Sequence, residues 1–254
     1  MNASAHVVEI FSGIQGEGPR VGERHIFLRL AGCNLACGYC DQPEARHAPR
    51  NAQVEITPGQ RNFIRLPNPL SCDRAAAAAL RLNRPAGLHK AIALTGGEPL
   101  MHPGFLKSLL RRMRGHGLKS LLETNGTRPA ELRALLPLID IVSMDFKLRS
   151  ATGRPAPETA HREFLKMAVQ SAREVYVKAV VTRATDGREI ARAARIVAGV
   201  DRRVPLILQP VTPVRGCALK PPSAHQLLEL QEAALRHLED VRVISQTHKF
   251  MGQR

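Results

Sequence analysis

The chain has no tryptophan, and its 254 residues include only two tyrosines and seven phenylalanines. Single-stranded nucleic acids are usually held on aromatic platforms, so this poverty of rings argues against nucleic acid as the main partner. Lysine is scarce too: eight of the 37 basic residues are Lys, and the arginines are spread along nearly the whole chain. With 22 acidic residues the net charge is +15. Anionic small substrates, or a compositional bias toward Arg, explain that excess as well as a polyanion does. Five cysteines are too few for a disulfide framework. The longest apolar run, residues 75–80, falls far short of the roughly 20 residues of a membrane span. The first residues carry neither a basic region nor an apolar stretch of signal-peptide length. Disulfide scaffold, membrane protein and disordered tail are excluded, and the expected compartment is the cytoplasm.

What is present is an ordinary globular composition, 44% hydrophobic and 23% charged, with no internal repeat or low-complexity tract. Strand-like runs at 25–30, 90–94, 120–123, 139–144, 175–181, 204–209 and 241–245 alternate with helical patterns at 73–82, 103–114, 129–136, 159–172, 186–197 and 223–238. Ser223 reads as an N-cap, with Gln226 three residues on. Such alternation predicts an α/β fold, a parallel sheet with helical crossovers closing into a barrel or partial barrel. One domain over 1–254 is expected. Pro- and Gly-rich residues 57–69 read as a projecting loop, part of an irregular insertion at about 42–72.

Three of the cysteines, Cys33, Cys37 and Cys40, form a C-x3-C-x2-C arrangement. Three thiolates this close can share one [4Fe–4S] cube and leave one iron without a protein ligand. Zinc, with His25 or His47 as a fourth ligand, is the alternative the spacing leaves open, but structural zinc normally takes four ligands in two spaced pairs. Cys72 and Cys217 stand alone and read as buried structural thiols.

The cysteine motif with Tyr39 before its last member, followed by Leu94-Thr95-Gly96-Gly97-Glu98-Pro99 at a strand end, resembles the radical S-adenosylmethionine superfamily. Glycines at such a strand end let the backbone approach a ligand closely. Further stretches are similar to one family within it, the 7-carboxy-7-deazaguanine synthases. They are residues 9–18 around Gln15-Gly16-Glu17-Gly18, Phe27-Leu28-Arg29 before Cys33, Glu123-Thr124-Asn125-Gly126, Gln209-Pro210, and Gln246-Thr247-His248-Lys249.

The resemblance implies a partial (β/α)6-type barrel of the superfamily, a [4Fe–4S] cluster on Cys33, Cys37 and Cys40, and S-adenosylmethionine bound at the open iron. It implies a radical that takes hydrogen from C6 of 6-carboxy-5,6,7,8-tetrahydropterin, and ring contraction with loss of ammonia to 7-carboxy-7-deazaguanine, a lyase step toward queuosine and other 7-deazapurines. Arg29 would grip the substrate carboxylate, a task for a planar bidentate donor. Ile14, Gln15 and Gly16 would read the pterin edge, with Glu17 either joining them or ordering their loop; Thr95 and His248 complete the substrate set. Gly96, Gly97 and Glu98 would hold the methionine amino group. Tyr39, Asn125, Ser143, Asp145 and the run Gln209, Pro210, Val211, Thr212 complete the cofactor set. A flavodoxin or ferredoxin as electron donor and a homodimer are also implied.

Two stretches depart from the family. Asp41-Gln42-Pro43 stands where relatives carry Asp-Thr, whose threonine is associated with magnesium, so Gln42 becomes the candidate ligand for that ion. Ser143-Met144-Asp145-Phe146-Lys147 stands where they carry Ser-Pro-Lys. Both lean toward glycyl-radical activating enzymes, which act on a protein and are the first alternative. A metal-stabilised RNA-binding module is the second, and the Gly-Gly-Glu-Pro strand end argues against it.

Overall fold

Most positions of the parallel strands are apolar on both faces, because helices cover one side and the barrel interior the other. A computed structural model describes residues 3–213 and 218–253; Cys217 lies outside them. The strands are β1 (Ser4–Ala5), β2 (Val7–Ile14), β3 (Arg24–Leu30), β4 (Asn51–Glu55), β5 (Phe63–Pro67), β6 (Leu70–Ser71), β7 (Ala91–Gly96), β8 (Lys119–Thr124), β9 (Ile141–Asp145), β10 (Glu174–Val181), β11 (Leu206–Pro210) and β12 (Val241–Val243). The helices are α1 (Cys72–Leu82), α2 (Pro103–Met113), α3 (Pro129–Arg133), α4 (Arg149–Thr152), α5 (Glu158–Ser171), α6 (Gly187–Ala198), α7 (Ala224–Leu235) and α8 (Thr247–Phe250). Ten strands form one sheet in the order β12-β11-β10-β9-β8-β7-β3-β2-β4-β5. From β3 through β7 to β12 every neighbouring pair is parallel. This is the expected partial barrel.

Local chemistry explains the crossovers. Ser71, Asp186 and Ser223 cap α1, α6 and α7, each side chain accepting from the backbone N–H three residues on, which satisfies one of the orphan donors at a helix start. In α6 the buried residues Ile190, Ala193, Ala194 and Val197 recur at helical spacing and face the sheet.

The region expected to be irregular is corrected by the structure. Residues 51–55 and 63–67 make an antiparallel hairpin, β4–β5, with Val54 opposite Ile64, and β4 runs parallel to β2. The hairpin extends the sheet instead of projecting from it. Pro67 concealed it, and that proline is tolerated because β5 is the edge strand. β2 is also a strand that the alternation did not reveal. Residues 42–50, 56–62 and 68–69 keep the expected irregular character, apart from a 3-10 turn at Pro43–Arg46.

The period of two along the strands builds both the plug and the floor of the site. Phe11, Phe27, Ala91, Ala93, Leu121, Ile141, Tyr176 and Ile207 pack into an interior cluster, with the Phe11 and Phe27 rings stacked at 5.1 Å. Two residues farther along the same faces the side chains turn polar: Arg29, Thr95, Glu123, Ser143, Lys178 and Gln209. Paired registers set them side by side, Arg29 beside Thr95, Glu123 beside Ser143, Lys178 beside Asp145.

Candidate active site

These polar strand ends line one open cavity, the concave, part-polar kind of site that small molecules commonly occupy. All three cluster-motif cysteines reach it, as do Ile14, Gln15, Gly16, Glu17, Arg29, Thr95 and His248 of the expected substrate set. Of the expected cofactor set Tyr39, Gly96, Gly97, Asn125, Ser143, Asp145, Gln209, Val211 and Thr212 line it too. Glu98 and Pro210 do not. Glu98 is wholly buried and turns into the protein, where its carboxylate accepts from Leu100 N (3.1 Å), Thr124 Oγ1 (2.8 Å) and Asn125 N (2.8 Å). It ties the end of β7 to that of β8, and burial pushes its carboxyl above the ordinary range.

The backbone behind the cysteines is close-packed. A Cβ on Gly97 would lie 2.0 Å from Gly32 O and 3.0 Å from Cys33 Cβ, so only glycine fits there. Arg46 Nη2 donates to Cys37 O (2.6 Å) and steadies the loop. Lys147 Nζ donates to Asp145 Oδ2 (2.7 Å) and to Tyr39 OH (3.0 Å), placing a buried cation beside the cysteines. Burial raises the thiols of Cys33 and Cys37, while Lys147 pulls the Cys37 thiol back down. Raised thiols stay protonated until a metal takes them.

The residues present suit an iron–sulfur cube better than a single ion. Among the described residues the His, Cys, Asp and Glu groups whose ligand atoms all lie within 4.8 Å of one another come to one trio, Glu17, Asp41 and His248. At least two of the three thiols therefore stand more than 4.8 Å apart, wider than the roughly 3.8 Å that separates two thiolates on one tetrahedral zinc. A cube spreads them, one thiolate to each of three irons. Gln209, 5% exposed, keeps Oε1 without a partner, and Asp145 Oδ1 is likewise unsatisfied. Buried acceptors of this kind are unusual unless a ligand completes them.

The substrate half is equally organised. Arg29 Nε donates to Glu9 Oε1 (2.8 Å), both side chains being buried. Gln15 Nε2 donates to Glu123 Oε1 (2.9 Å). Lys178 pairs with Glu17; although burial alone would raise the Glu17 carboxyl, Lys178 and Gln246 hold it down to about 2. The carboxylates of Glu17, Glu123 and Asp145 in turn keep Lys178 protonated against its own burial. Asn125 is fixed by Asn34 and Thr127. Gln42 lines the cavity just before Pro43. Glu123, Lys178 and Arg46 were missed as site residues. The signal for the first two was present: each is a charged side chain that follows a buried residue on the inward face of its strand, two residues after Leu121 and Tyr176.

A thiol loop at the end of the first parallel strand, and polar residues at the ends of those that follow, define a radical S-adenosylmethionine protein. The family model "Radical SAM superfamily" matches residues 28–195. A 7-carboxy-7-deazaguanine synthase of Geobacter sulfurreducens is 45% identical over 251 residues, 98% of either chain. One from Methanothermobacter thermautotrophicus is 36% identical, again over 98% of both. The crystal structure of QueE from Escherichia coli superposes with a TM-score of 0.58 at 20% identity, covering 95% of this chain and 93% of that one, which bears on the fold. The chain belongs to the family of 7-carboxy-7-deazaguanine synthases.

Proposed function

We propose that this chain converts 6-carboxy-5,6,7,8-tetrahydropterin to 7-carboxy-7-deazaguanine with loss of ammonia, using a [4Fe–4S] cluster and S-adenosylmethionine. The observation that carries the reading is the shared cavity, in which a three-thiol loop faces Arg29, Gln15 and Glu123. When bound, the cluster and S-adenosylmethionine supply a carbon-centred radical that takes a hydrogen atom from the substrate. The protein binds, orients and excludes water. Arg29, held by Glu9, presents a guanidinium to the substrate carboxylate. Glu123 and Gln15 match the donor and acceptor edge of a pterin. Gln209 and Asp145 offer their unsatisfied oxygens to S-adenosylmethionine. A flavodoxin- or ferredoxin-type donor and a homodimer belong to the same proposal. An activating enzyme for a glycyl-radical protein would not need the Gln15–Gly18 loop or the Gln246–Lys249 ending, which meet here as Thr247 N donates to Gly16 O (2.9 Å). Anaerobic incubation of reconstituted protein with reductant, S-adenosylmethionine and the tetrahydropterin should give the deazaguanine mass. Release of 5′-deoxyadenosine with no such product overturns the substrate assignment.

Magnesium binds weakly in this reading. Gln42 offers only an amide oxygen on a flexible stem, and magnesium tolerates little departure from octahedral geometry. The nearby carboxylates of Glu17 and Asp41 are already paired with Lys178 and Lys249. Turnover after chelator treatment should stay within a few-fold of the untreated enzyme, while Gln42→Thr should gain a magnesium requirement. A steep requirement in wild type, equal to that of the Thr variant, sinks this expectation.

A further inference from the structure

Three segments distant in sequence meet at one amide. Gln246 follows β12, opens the C-terminal hook that contains α8, and is 8% exposed. Its Nε2 donates to Glu17 Oε1 (2.6 Å) and to Asp41 Oδ2 (3.1 Å). A terminal NH2 carries two hydrogens and can serve two acceptors at once. Asp41 is the residue directly after Cys40, so one side of this bridge is the cluster loop. The other side leads to the substrate: Glu17 N donates to Gln15 Oε1 (3.0 Å), and Gln15 Nε2 donates to Glu123 Oε1 (2.9 Å). A continuous hydrogen-bonded belt thus runs from the pterin-reading end of β8 to the last cluster cysteine. Two carboxylates this close would repel one another. The double donor between them, with Lys178 on Glu17 and Lys249 on Asp41 (3.2 Å), makes the approach favourable.

The hook does not depend on this amide for its attachment. Thr247 N and Oγ1 both donate to Gly16 O (2.9 and 3.3 Å), and Arg61 donates to Gly252 O. The Gln246 side chain therefore does something besides holding the tail down.

We propose that Gln246 is a positioning residue that sets the spacing between the substrate loop and the cluster loop, and so keeps hydrogen removal tied to the bound substrate. The inference rests on the function proposed above. A misplacement of about 1 Å can cost on the order of 100-fold in rate even when each binding site is intact. A radical formed out of register has no substrate hydrogen within reach; it is quenched by an electron from the assay reductant and a proton from water, and leaves as free 5′-deoxyadenosine.

The test is a double-mutant cycle on the reconstituted holoenzyme with Gln246→Met, which keeps the side-chain volume without the donors, Asp41→Ala, and the pair together. Iron content, substrate KM, kcat and 5′-deoxyadenosine released per product are the readouts. For Gln246→Met we expect iron content and KM within about twofold of wild type, kcat lower by about tenfold or more, and a several-fold rise in 5′-deoxyadenosine per product. The double variant should be no worse than the poorer single one, because both remove the same bridge. Gln246→Asn, which keeps the amide on a shorter stem, should recover part of the coupling. Additive losses, or a wild-type ratio of 5′-deoxyadenosine to product in Gln246→Met, overturn the inference. So does loss of iron from that variant, which would assign the amide to cluster assembly. A wild type that makes no deazaguanine refutes the function and takes the inference with it; a productive wild type with additive variants refutes the inference alone.

Discussion

Cys37 and Cys72 show how far surroundings decide what a thiol does. Cys37 is half-buried at the cavity wall, with the Lys147 charge acting on it, whereas Cys72 is wholly buried in the first turn of α1. Replacing Cys33, Cys37 or Cys40 by Ala should abolish cluster assembly and turnover, and Cys72→Ala should retain both. Iron quantitation and the brown absorbance of the reconstituted protein decide it; full cluster content in Cys37→Ala would remove the assignment. Arg29 is the second discriminating residue. Arg29→Lys keeps a cation for Glu9 but loses the planar fork that pairs two carboxylate oxygens. Its kcat/KM for the tetrahydropterin should fall by about 1.5–3 kcal/mol, the range for a charge-assisted hydrogen bond. Uncoupled S-adenosylmethionine cleavage should be almost unchanged. Equal losses in both would mean that Arg29 serves the cluster or the fold.

At the scale of elements, the crossover helices are fixed by their caps as well as by their buried faces. Ser223 Oγ accepts from Gln226 N (3.1 Å) and Asp186 Oδ1 from Glu189 N (2.8 Å). Ser223→Ala and Asp186→Ala should each cost about 1 kcal/mol in urea unfolding and leave turnover unchanged, because neither side chain lines the cavity. A change in kcat with either variant would contradict that separation. The Ser223 cap was readable in the sequence, as were the alternating strands and helices, the three-thiol loop and the Gly96-Gly97 strand end, because each is a local pattern with a local physical cause. The β4–β5 hairpin was not readable, since edge strands tolerate the very prolines that signal loops in a chain read without its neighbours. The inward turn of Glu98 was hidden for a related reason. This residue stands beside Gly97 in sequence, but the close turn at Gly96 and Gly97 sends its side chain to Thr124 and Asn125. Lys178 and Glu123 depend on the barrel closing, which brings the inward positions of separate strands to one cavity; sequence order alone does not show it. The bridge through Gln246, spanning residues 17, 41 and 246, is the extreme case.

For the molecule as a whole, acid should loosen the fold in two windows with different chemistry. His161 on α5 is fully buried, with Nε2 3.1 Å from Asn125 O and its ring 4.4 Å from Phe146. Burial pulls its pKa from 6.5 down to about 4, with the Asn125 carbonyl opposing. A histidine lowered in the folded state is neutral there while the unfolded chain takes up a proton below about 6.5. Stability therefore falls as the pH drops from 6.5 toward 4, by up to about 1.4 kcal/mol per pH unit. Glu17 acts lower. Its folded pKa near 2 means that the Lys178 pairing contributes fully above the ordinary carboxylate value of 4.5 and is lost as the pH falls toward 2. Urea unfolding of wild type and His161→Gln at pH 7.5, 6, 5 and 4.5 isolates the first window, because carboxylates common to both proteins cancel in the difference. The variant should be the less stable at pH 7.5, where the packed ring is lost without compensation, and its disadvantage should shrink by roughly 1 kcal/mol for each pH unit below 6.5. A stability difference independent of pH would show that His161 keeps an ordinary pKa in the fold. The site feels this proton as well: His161 Nε2 lies 3.1 Å from Asn125 O, and that carbonyl favours the charged ring, so protonation tightens the hold of α5 on the backbone that carries Asn125 into the cavity.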